Sequence, residues 1–341
     1  MRIGVNGIMS HSNISIFVPH KGCPNDCSFC NQRAISGQTV PATPEDVRKA
    51  VETAIEYNVN PKNTEIAFFG GSFTAIEREY MCSLLTAAKC FLDSHKFKGI
   101  RVSTRPDCID KDILSTLKNY GVTAIELGAQ SMCDDVLMAN RRGHTADDVR
   151  SASKLIKEYD FELGLQMMTG LYKSDFEKDE FTAREIVKLK PDTVRIYPTV
   201  VLKNTHLGYL QEKGEYIAPT AEESALFCAK LLGMFESENI KVIKLGLHSS
   251  ETVESDMIGG AYHPAFRELC EGEIYLQKIL EKLEKKDKNQ YYVIYVDKKV
   301  LSKAKGQQKR NEKALKNQGF HCIIKGKENL EEIQIEVAET I

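Results

Sequence analysis

The sequence predicts an α/β fold built on a parallel sheet, and three observations carry that expectation. Strand-like and helix-like segments alternate from Ile14 to about Lys244. The runs IAFFGG and TVRIYPTVV are apolar nearly throughout, as strands buried on both faces are. The stretches between the strands are amphipathic at helical spacing. Strand then helix, repeated, implies parallel strands joined by right-handed crossovers. Such a repeat closes into a barrel, stays open as an arc of one, or forms a doubly wound sheet. Periodicity does not choose among these.

The expected strands are Ile14–Val18, Glu65–Phe69, Ile100–Ser103, Ala124–Leu127, Glu162–Met167, Thr193–Tyr197 and Val242–Lys244. The first helix is well marked. Thr43 suits its cap, Pro44 its first position, and Asp46 stands three residues after the cap. Val47, Ala50, Val51, Ala54 and Ile55 then recur at helical spacing. After His263–Pro264 the pattern changes. Phe266 to about Lys286 reads as one long helix, followed by a strand (Tyr291–Val296), a basic helix (Lys303–Lys316) and strands Phe320–Ile324 and Ile333–Val337. The chain is thus expected to comprise an N-terminal extension (1–13), an α/β core (14–262) and a small α+β appendage (263–341). There is no solenoid repeat and no low-complexity tract.

The 341 residues are enough for one large α/β domain with an appendage. No window approaches the apolar length of a membrane span. The N-terminus MRIGVNGIMSHSN lacks the pattern of a signal peptide, and Met9 suits a natural start. Ten cysteines without an even-spaced framework fit a reduced, cytoplasmic setting. Most of the seven outside the first cluster (Cys82, Cys90, Cys108, Cys133, Cys228, Cys270, Cys322) are expected as small buried hydrophobes.

The first cluster is Cys23, Cys27 and Cys30, a C-x3-C-x2-C run just after the first strand. An odd cysteine has no disulfide partner, and a structural zinc site wants four protein ligands. A 4Fe–4S cluster also takes four ligands, normally cysteines. Three together imply a cluster with one iron left for another ligand, or else a zinc site completed by a distant residue. Gly70-Gly71-Ser72-Phe73 follows the next strand, where glycines allow backbone to approach a ligand closely. Ser103-Thr104-Arg105-Pro106-Asp107 ends the third strand, and Asp107 or Asp110 can cap the helix after it. Glu126-Leu127-Gly128-Ala129-Gln130-Ser131 ends the fourth. The run Asn140-Arg141-Arg142 then leads to Gly143-His144-Thr145, which opens a helix. Gln130 offers donor and acceptor for ribose hydroxyls, and an arginine can hold a carboxylate bidentately.

The Cys run resembles the signature of the radical SAM superfamily. The ordered pattern RPD, GxQS, RGHT, MxxGL and IYPT further resembles the core of the Elongator catalytic subunit and its bacterial relatives, from about Ile14 to about Arg267. The resemblance implies a partial (α/β)6 TIM-like barrel with function at the carboxyl ends of its strands. It implies a 4Fe–4S cluster on Cys23, Cys27 and Cys30, whose open iron is chelated by S-adenosylmethionine. In that family Phe29 would lie near the adenine, Gly70, Gly71 and Ser72 near the methionine amino group, Gln130 at the ribose and Arg142 at the carboxylate. Ser103 stands where the Elongator pattern has Glu, a weaker and uncharged substitute. Lys203 stands where that subunit carries Arg after its IYPT run. The chain has no Arg-x-x-Gly-x-Gly/Ala loop of the acetyltransferase type, so acetyl-CoA is not expected. The oxygen-independent coproporphyrinogen oxidases share the Gln-to-Arg spacing but usually carry a further Cys, for which this chain has Gln32.

The net charge of −2 hides a local imbalance. Between Lys298 and Lys316 stand eight cations (Lys298, Lys299, Lys303, Lys305, Lys309, Arg310, Lys313, Lys316) against the single anion Glu312. An acidic body with a basic arm suits a phosphate backbone. Gln307, Gln308 and Asn311 offer polar contacts, and Tyr291, Tyr292 and Phe320 are expected to stack single-stranded bases. Near the expected barrel mouth stand Tyr172, Arg195, Tyr197, Lys203, Lys244, His248, Tyr262 and His263. Tyr197 and Lys203 are the candidate catalytic, substrate-facing residues.

The expected activity is reductive cleavage of S-adenosylmethionine to methionine and a 5′-deoxyadenosyl radical, which then abstracts hydrogen from tRNA or rRNA. An electron donor of the flavodoxin or ferredoxin type is implied, and no membrane partner. A small metabolite is the alternative substrate. A non-catalytic RNA-binding protein with a structural metal site is the alternative class.

Overall fold

The computed structural model describes residues 12–18, 23, 27–31, 40–248 and 251–338. Residues 1–11 of the expected extension and Gln32 lie outside the described residues. The main sheet contains β1 (Ser12–Phe17), β2 (Thr64–Phe69), β3 (Gly99–Thr104), β4 (Val122–Gln130), β5 (Glu162–Thr169) and β6 (Thr193–Pro198). A short strand, β7 (Val200–Leu202), then leaves the sheet, and β8 (Lys241–Leu245) completes it. The spatial order is β1-β2-β3-β4-β5-β6-β8, every pair parallel. Each of the seven strands expected between Ile14 and Lys244 overlaps one of these seven. Helices Pro44–Glu56, Arg78–His95, Lys111–Asn119, Ala146–Glu158, Phe176–Leu189 and Ala221–Ser237 make the crossovers.

The local signals behave as physics requires. Thr43 accepts from the amide of Asp46 while Asp46 accepts from the amide of Thr43, a capping box that contributes about 1 kcal/mol. Thr145 and Asp148 repeat it at the helix after the RGHT run. Asp110, not Asp107, caps Lys111–Asn119, because Asp107 is held bidentately by Arg105.

The strands present two different faces. One carries Ile14, Ile16, Ile66, Phe68, Ile100, Val102, Ile125, Leu127, Leu163, Leu165, Val194 and Ile196, all buried in the main apolar core beneath the helices. The other, by the period-2 alternation of a strand, carries Glu65, Arg101, Glu126, Glu162, Gln166, Arg195 and Lys244. The strands are therefore mostly buried on both faces, as expected, but the inner face is ionic. Ser15 of β1 and Lys244 of β8 line the same cavity. Across a flat seven-strand sheet they would stand roughly 29 Å apart, at ~4.8 Å per strand. The sheet is curled into an open arc, with β1 and β8 unpaired to each other among the described residues. This is the partial barrel expected from the sequence.

Beyond the arc, β7 pairs antiparallel with β9 (Met257–Gly260). Helix Phe266–Leu283 bridges two cores. Phe266 and Cys270 belong to the main one; Leu276, Ile279 and Leu283 belong to a second, beneath a small sheet. That sheet has the order β11-β10-β12, from β10 (Tyr291–Asp297), β11 (His321–Lys327) and β12 (Gln334–Val337).

Four expectations need correction here. The basic helix is not continuous: it breaks into Leu301–Lys305 and Arg310–Asn317 around Gly306 (φ 67°), with Gln308 and Lys309 also left-handed (φ 51° and 59°). Asn311 holds the break, donating to the carbonyls of Ala304 and Gly272 at 2.9 and 2.8 Å. It is 2 % exposed, so it offers nothing to RNA. Tyr292 and Phe320 are buried in the second core and cannot stack bases. Of the seven scattered cysteines, Cys228 and Cys270 are buried, four are half-buried and Cys90 is exposed.

Candidate active site

A cavity of about 610 Å³ opens at the carboxyl end of the arc. One wall comes from the first half of the sheet and its loops: Phe17, Phe29, Cys30, Gly70, Gly71, Ser103 and Gln130. The other comes from the second half: Gln166, Met168, Arg195, Tyr197, Lys244, Leu247 and His248. Its volume and mixed lining suit a cofactor-sized ligand with room for a second reactant.

The loop bearing the cysteines is pinned from two sides. Ser28 donates its amide to the Asn140 carbonyl at 3.1 Å and its hydroxyl to Asn140 Oδ1 at 2.6 Å. The Ser28 carbonyl accepts from Leu207 N at 2.7 Å, at the start of helix His206–Glu212. Cys30 N closes a turn on the Cys27 carbonyl at 3.1 Å. Arg142 places Nη1 3.0 Å from Cys27 Sγ and Nη2 2.7 Å from the Gly128 carbonyl. Its guanidinium lies 5.9 Å from the Phe29 ring centroid. Cys23 is exposed, while Cys27 and Cys30 are half-buried.

Gly70 and Gly71 have φ of 85° and 46°, where a side chain would be strained. Gln130 is also left-handed (φ 64°), and its Oε1 is buried without a hydrogen-bond partner. A Cβ added at Gly128 would stand 3.1 Å from Gln130 Nε2 and 3.3 Å from Arg142 Nη2, so this glycine makes room for both. His144 gives Nε2 to the Ala129 carbonyl at 3.2 Å, and burial, aided by Arg142, lowers its pKa to about 4.

Not every candidate reaches the cavity. Ser72 turns away: its hydroxyl bonds Thr104 Oγ1 at 2.9 Å and accepts from the Arg105 amide. Lys203 is exposed and donates Nζ to the Ser255 carbonyl at 3.0 Å. Tyr172 packs edge-on against Tyr216, and Tyr262 donates to Glu254 Oε1 at 2.7 Å. Tyr197 lines the cavity beside Arg195, and burial raises its pKa.

Comparison with known proteins decides the family. The radical SAM superfamily model matches residues 17–185, and the model of the radical SAM C-terminal domain matches residues 191–276. The chain belongs to the radical SAM superfamily. A tRNA uridine(34) acetyltransferase of Methanocaldococcus jannaschii is 33% identical over 183 residues, 48% of this chain and 34% of that protein. Human Elongator complex protein 3 is 28% identical over 207 residues, 55% of this chain and 38% of that protein. The alignments thus span well under half of these two relatives. The solved Elp3 of Methanocaldococcus infernus, lacking residues 1–46, superposes with a TM-score of 0.64 at 20% identity, covering 81% of this chain and 64% of that one. That likeness shows the shared fold.

The cofactors of this radical SAM enzyme's family are a 4Fe–4S cluster and S-adenosylmethionine. The residues present fit them. Cys27 and Cys30 flank the anchored Ser28, with Cys30 on the cavity wall, and Gln130 turns an unsatisfied buried acceptor into that wall, a group a ligand hydroxyl or amine would complete. Among the described residues no three His, Cys, Asp or Glu side chains are gathered closely enough to hold a metal by themselves. The structure therefore shows the loop and its anchors rather than a formed metal cage.

Two features escape sequence reasoning. Asn140, which ties down the cysteine loop, stands in the sequence simply as the neighbour of two arginines. The inner-face ions Glu65, Arg101, Glu126 and Glu162 read there as ends or interiors of apolar strands. Their signal is present: each is a charge at an alternating position in an otherwise apolar strand.

Proposed function

We propose that this radical SAM enzyme modifies RNA, tRNA or rRNA. The observation that carries the reading is the cavity with two unlike walls, and relatives named for tRNA modification support it. In this reading Cys23, Cys27 and Cys30 hold the cluster. Gly70 and Gly71 offer backbone close to the methionine end of S-adenosylmethionine. Gln130 meets the ribose, Phe29 flanks the adenine and Arg142 supplies positive charge beside the cysteine loop. When bound, the cluster and S-adenosylmethionine supply one-electron chemistry and an organic radical. The chain's own part is to hold the cysteine loop through Asn140 and Leu207, orient the ribose through Gln130 and keep water from the space between the walls. Tyr197 is the substrate-side candidate that borders that space; Lys203 stands at its periphery. The core (14–262) would do chemistry, and the appendage (263–341) would hold RNA through its basic segment.

The test is anaerobic reconstitution with iron and sulfide, then dithionite and S-adenosylmethionine. Release of 5′-deoxyadenosine is expected, and a full cluster with no release counts against the reading. Mass spectrometry of RNA nucleosides from cells with and without the protein should reveal one missing modification. Identical nucleoside profiles argue for a small-molecule substrate instead.

A further inference from the structure

The inner face of the arc is a charge-matching problem. Arg101 is 1 % exposed and meets Glu65 at 2.8 Å, Glu126 at 3.3 Å and Glu162 at 2.5 Å. Lys98 reaches Glu65 and Glu162, each at 3.5 Å, from the rim. Arg195 grips Glu126 with two bonds, at 2.6 and 2.9 Å. Among the described residues the three acids thus meet three cations. Lys244 is a fourth. Its Cα is the direct ladder partner of Arg195 on the neighbouring strand, which sets two cations side by side on one face. Like charges in that relation repel. No acid among the described residues meets the Lys244 ammonium, which is half-buried in the cavity wall. Burial and Arg195 both push its pKa down, the signature of a cation without a counter-charge. His248 lines the same wall. A half-buried cation beside another cation, in a cavity, calls for an anion.

We propose that Lys244, with His248 beside it, forms a phosphate-recognition subsite on the wall opposite the cysteine loop. There it receives the phosphate of the nucleotide that enters the cavity. This rests on the reading of RNA as substrate and makes it specific: the reacting nucleotide is held by its own backbone charge, facing the side where S-adenosylmethionine belongs. The same chemistry would accept a free nucleotide, and the experiment separates the two sources.

The reconstituted enzyme with S-adenosylmethionine is treated with an acetylating reagent, and the rate at Lys244 is followed by peptide mass spectrometry, with exposed Lys190 as control. Four probes are compared: inorganic phosphate, the four ribonucleoside 5′-monophosphates, the matching nucleosides and bulk tRNA plus rRNA. RNA binding is measured in parallel by filter retention. Protection of Lys244 by monophosphates and RNA, but not by nucleosides, is the expected result. Protection by monophosphates, with RNA neither binding nor protecting, keeps the subsite and removes the RNA reading. RNA that binds yet protects Lys244 no better than nucleosides do overturns the subsite and leaves the RNA reading standing. No protection and no RNA binding overturns both. Lys244→Gln should weaken monophosphate binding about tenfold, the loss of one charge-assisted contact, and Lys244→Arg should restore it. Equal affinity in wild type and Lys244→Gln also overturns the proposal.

Discussion

His144 shows how one buried side chain makes stability depend on pH. Its native pKa of about 4 lies below the ordinary 6.5 because burial, then Arg142, disfavours the charged ring. Between those values the unfolded chain takes up a proton that the native chain refuses. Stability from this group is therefore full above pH 6.5 and lost as pH falls toward 4. The loss between pH 7.5 and 5 should amount to about 2 kcal/mol from His144. Asp179 opposes it: burial raises its pKa to about 6, so its contribution is present at low pH and lost as pH rises from 3.8 through 6. The informative quantity is thus the difference between wild type and His144→Gln, measured by urea unfolding of apo protein at the two pH values. An unchanged difference sinks the assignment. Asn140 is the other decisive residue. Asn140→Ala removes the acceptor for Ser28 and the donors to the Val136 and Tyr172 carbonyls, costing about 1–3 kcal/mol. Iron retained after anaerobic gel filtration should drop. Retention equal to wild type would mean the cysteine loop needs no such anchor.

At the scale of elements, β2 to β6 and β8 are apolar on the outer face of the arc and carry charge on the inner one, and Arg101 is the hub of that inner face. Arg101→Met leaves three carboxylates facing one another with fewer cations, and breaking a buried ion cluster from one side costs about 3–5 kcal/mol. Urea midpoints should reveal it, and a loss under about 1 kcal/mol would show that relaxation or water replaces the guanidinium. This ladder also marks where sequence reading stops. The capped helix at Thr43, the glycines at Gly70 and Gly71 and the cysteine spacing are local, so neighbouring residues announce them. Arg101 meets partners 36 and 61 places away in the chain, and no local pattern pairs them. The break in the basic helix goes unannounced for the same reason. Gly306 alone is tolerable inside a helix, and the left-handed turn is stabilised by Asn311 reaching the Gly272 carbonyl, 39 places back. Ser72 is a candidate through its neighbours, yet its hydroxyl is taken by Thr104 and the Arg105 amide.

The whole molecule joins a barrel arc to an appendage through helix Phe266–Leu283, which Lys303 braces through Glu271 at 2.9 Å, and through the approach of Arg310 to Glu222 of the arc. The eight cations of the basic segment are not equivalent in this assembly. Lys298 pairs with Glu328, Lys303 with Glu271, and Arg310 approaches Glu222 of the arc at 3.9 Å. These serve the fold. Lys309, Lys313 and Lys316 are exposed; Lys313 and Lys316, three apart on helix Arg310–Asn317, share one side opposite the buried Asn311 and Leu315, and Lys309 stands at the N-terminal end of that helix. With Lys299, also exposed, they are cations available to a phosphate backbone. Replacing Lys309, Lys313 and Lys316 with Gln leaves both apolar cores untouched, so thermal unfolding should be unchanged. RNA affinity should fall, and so should its salt dependence. Each lost phosphate contact lowers the log–log slope by about 0.7 to 0.9, so a shift near 2 is expected for the triple variant. Filter binding over a salt series measures both numbers. A weaker intercept with an unchanged slope would mean the lysines act without neutralising phosphates, and unchanged affinity would move the RNA surface elsewhere on the molecule.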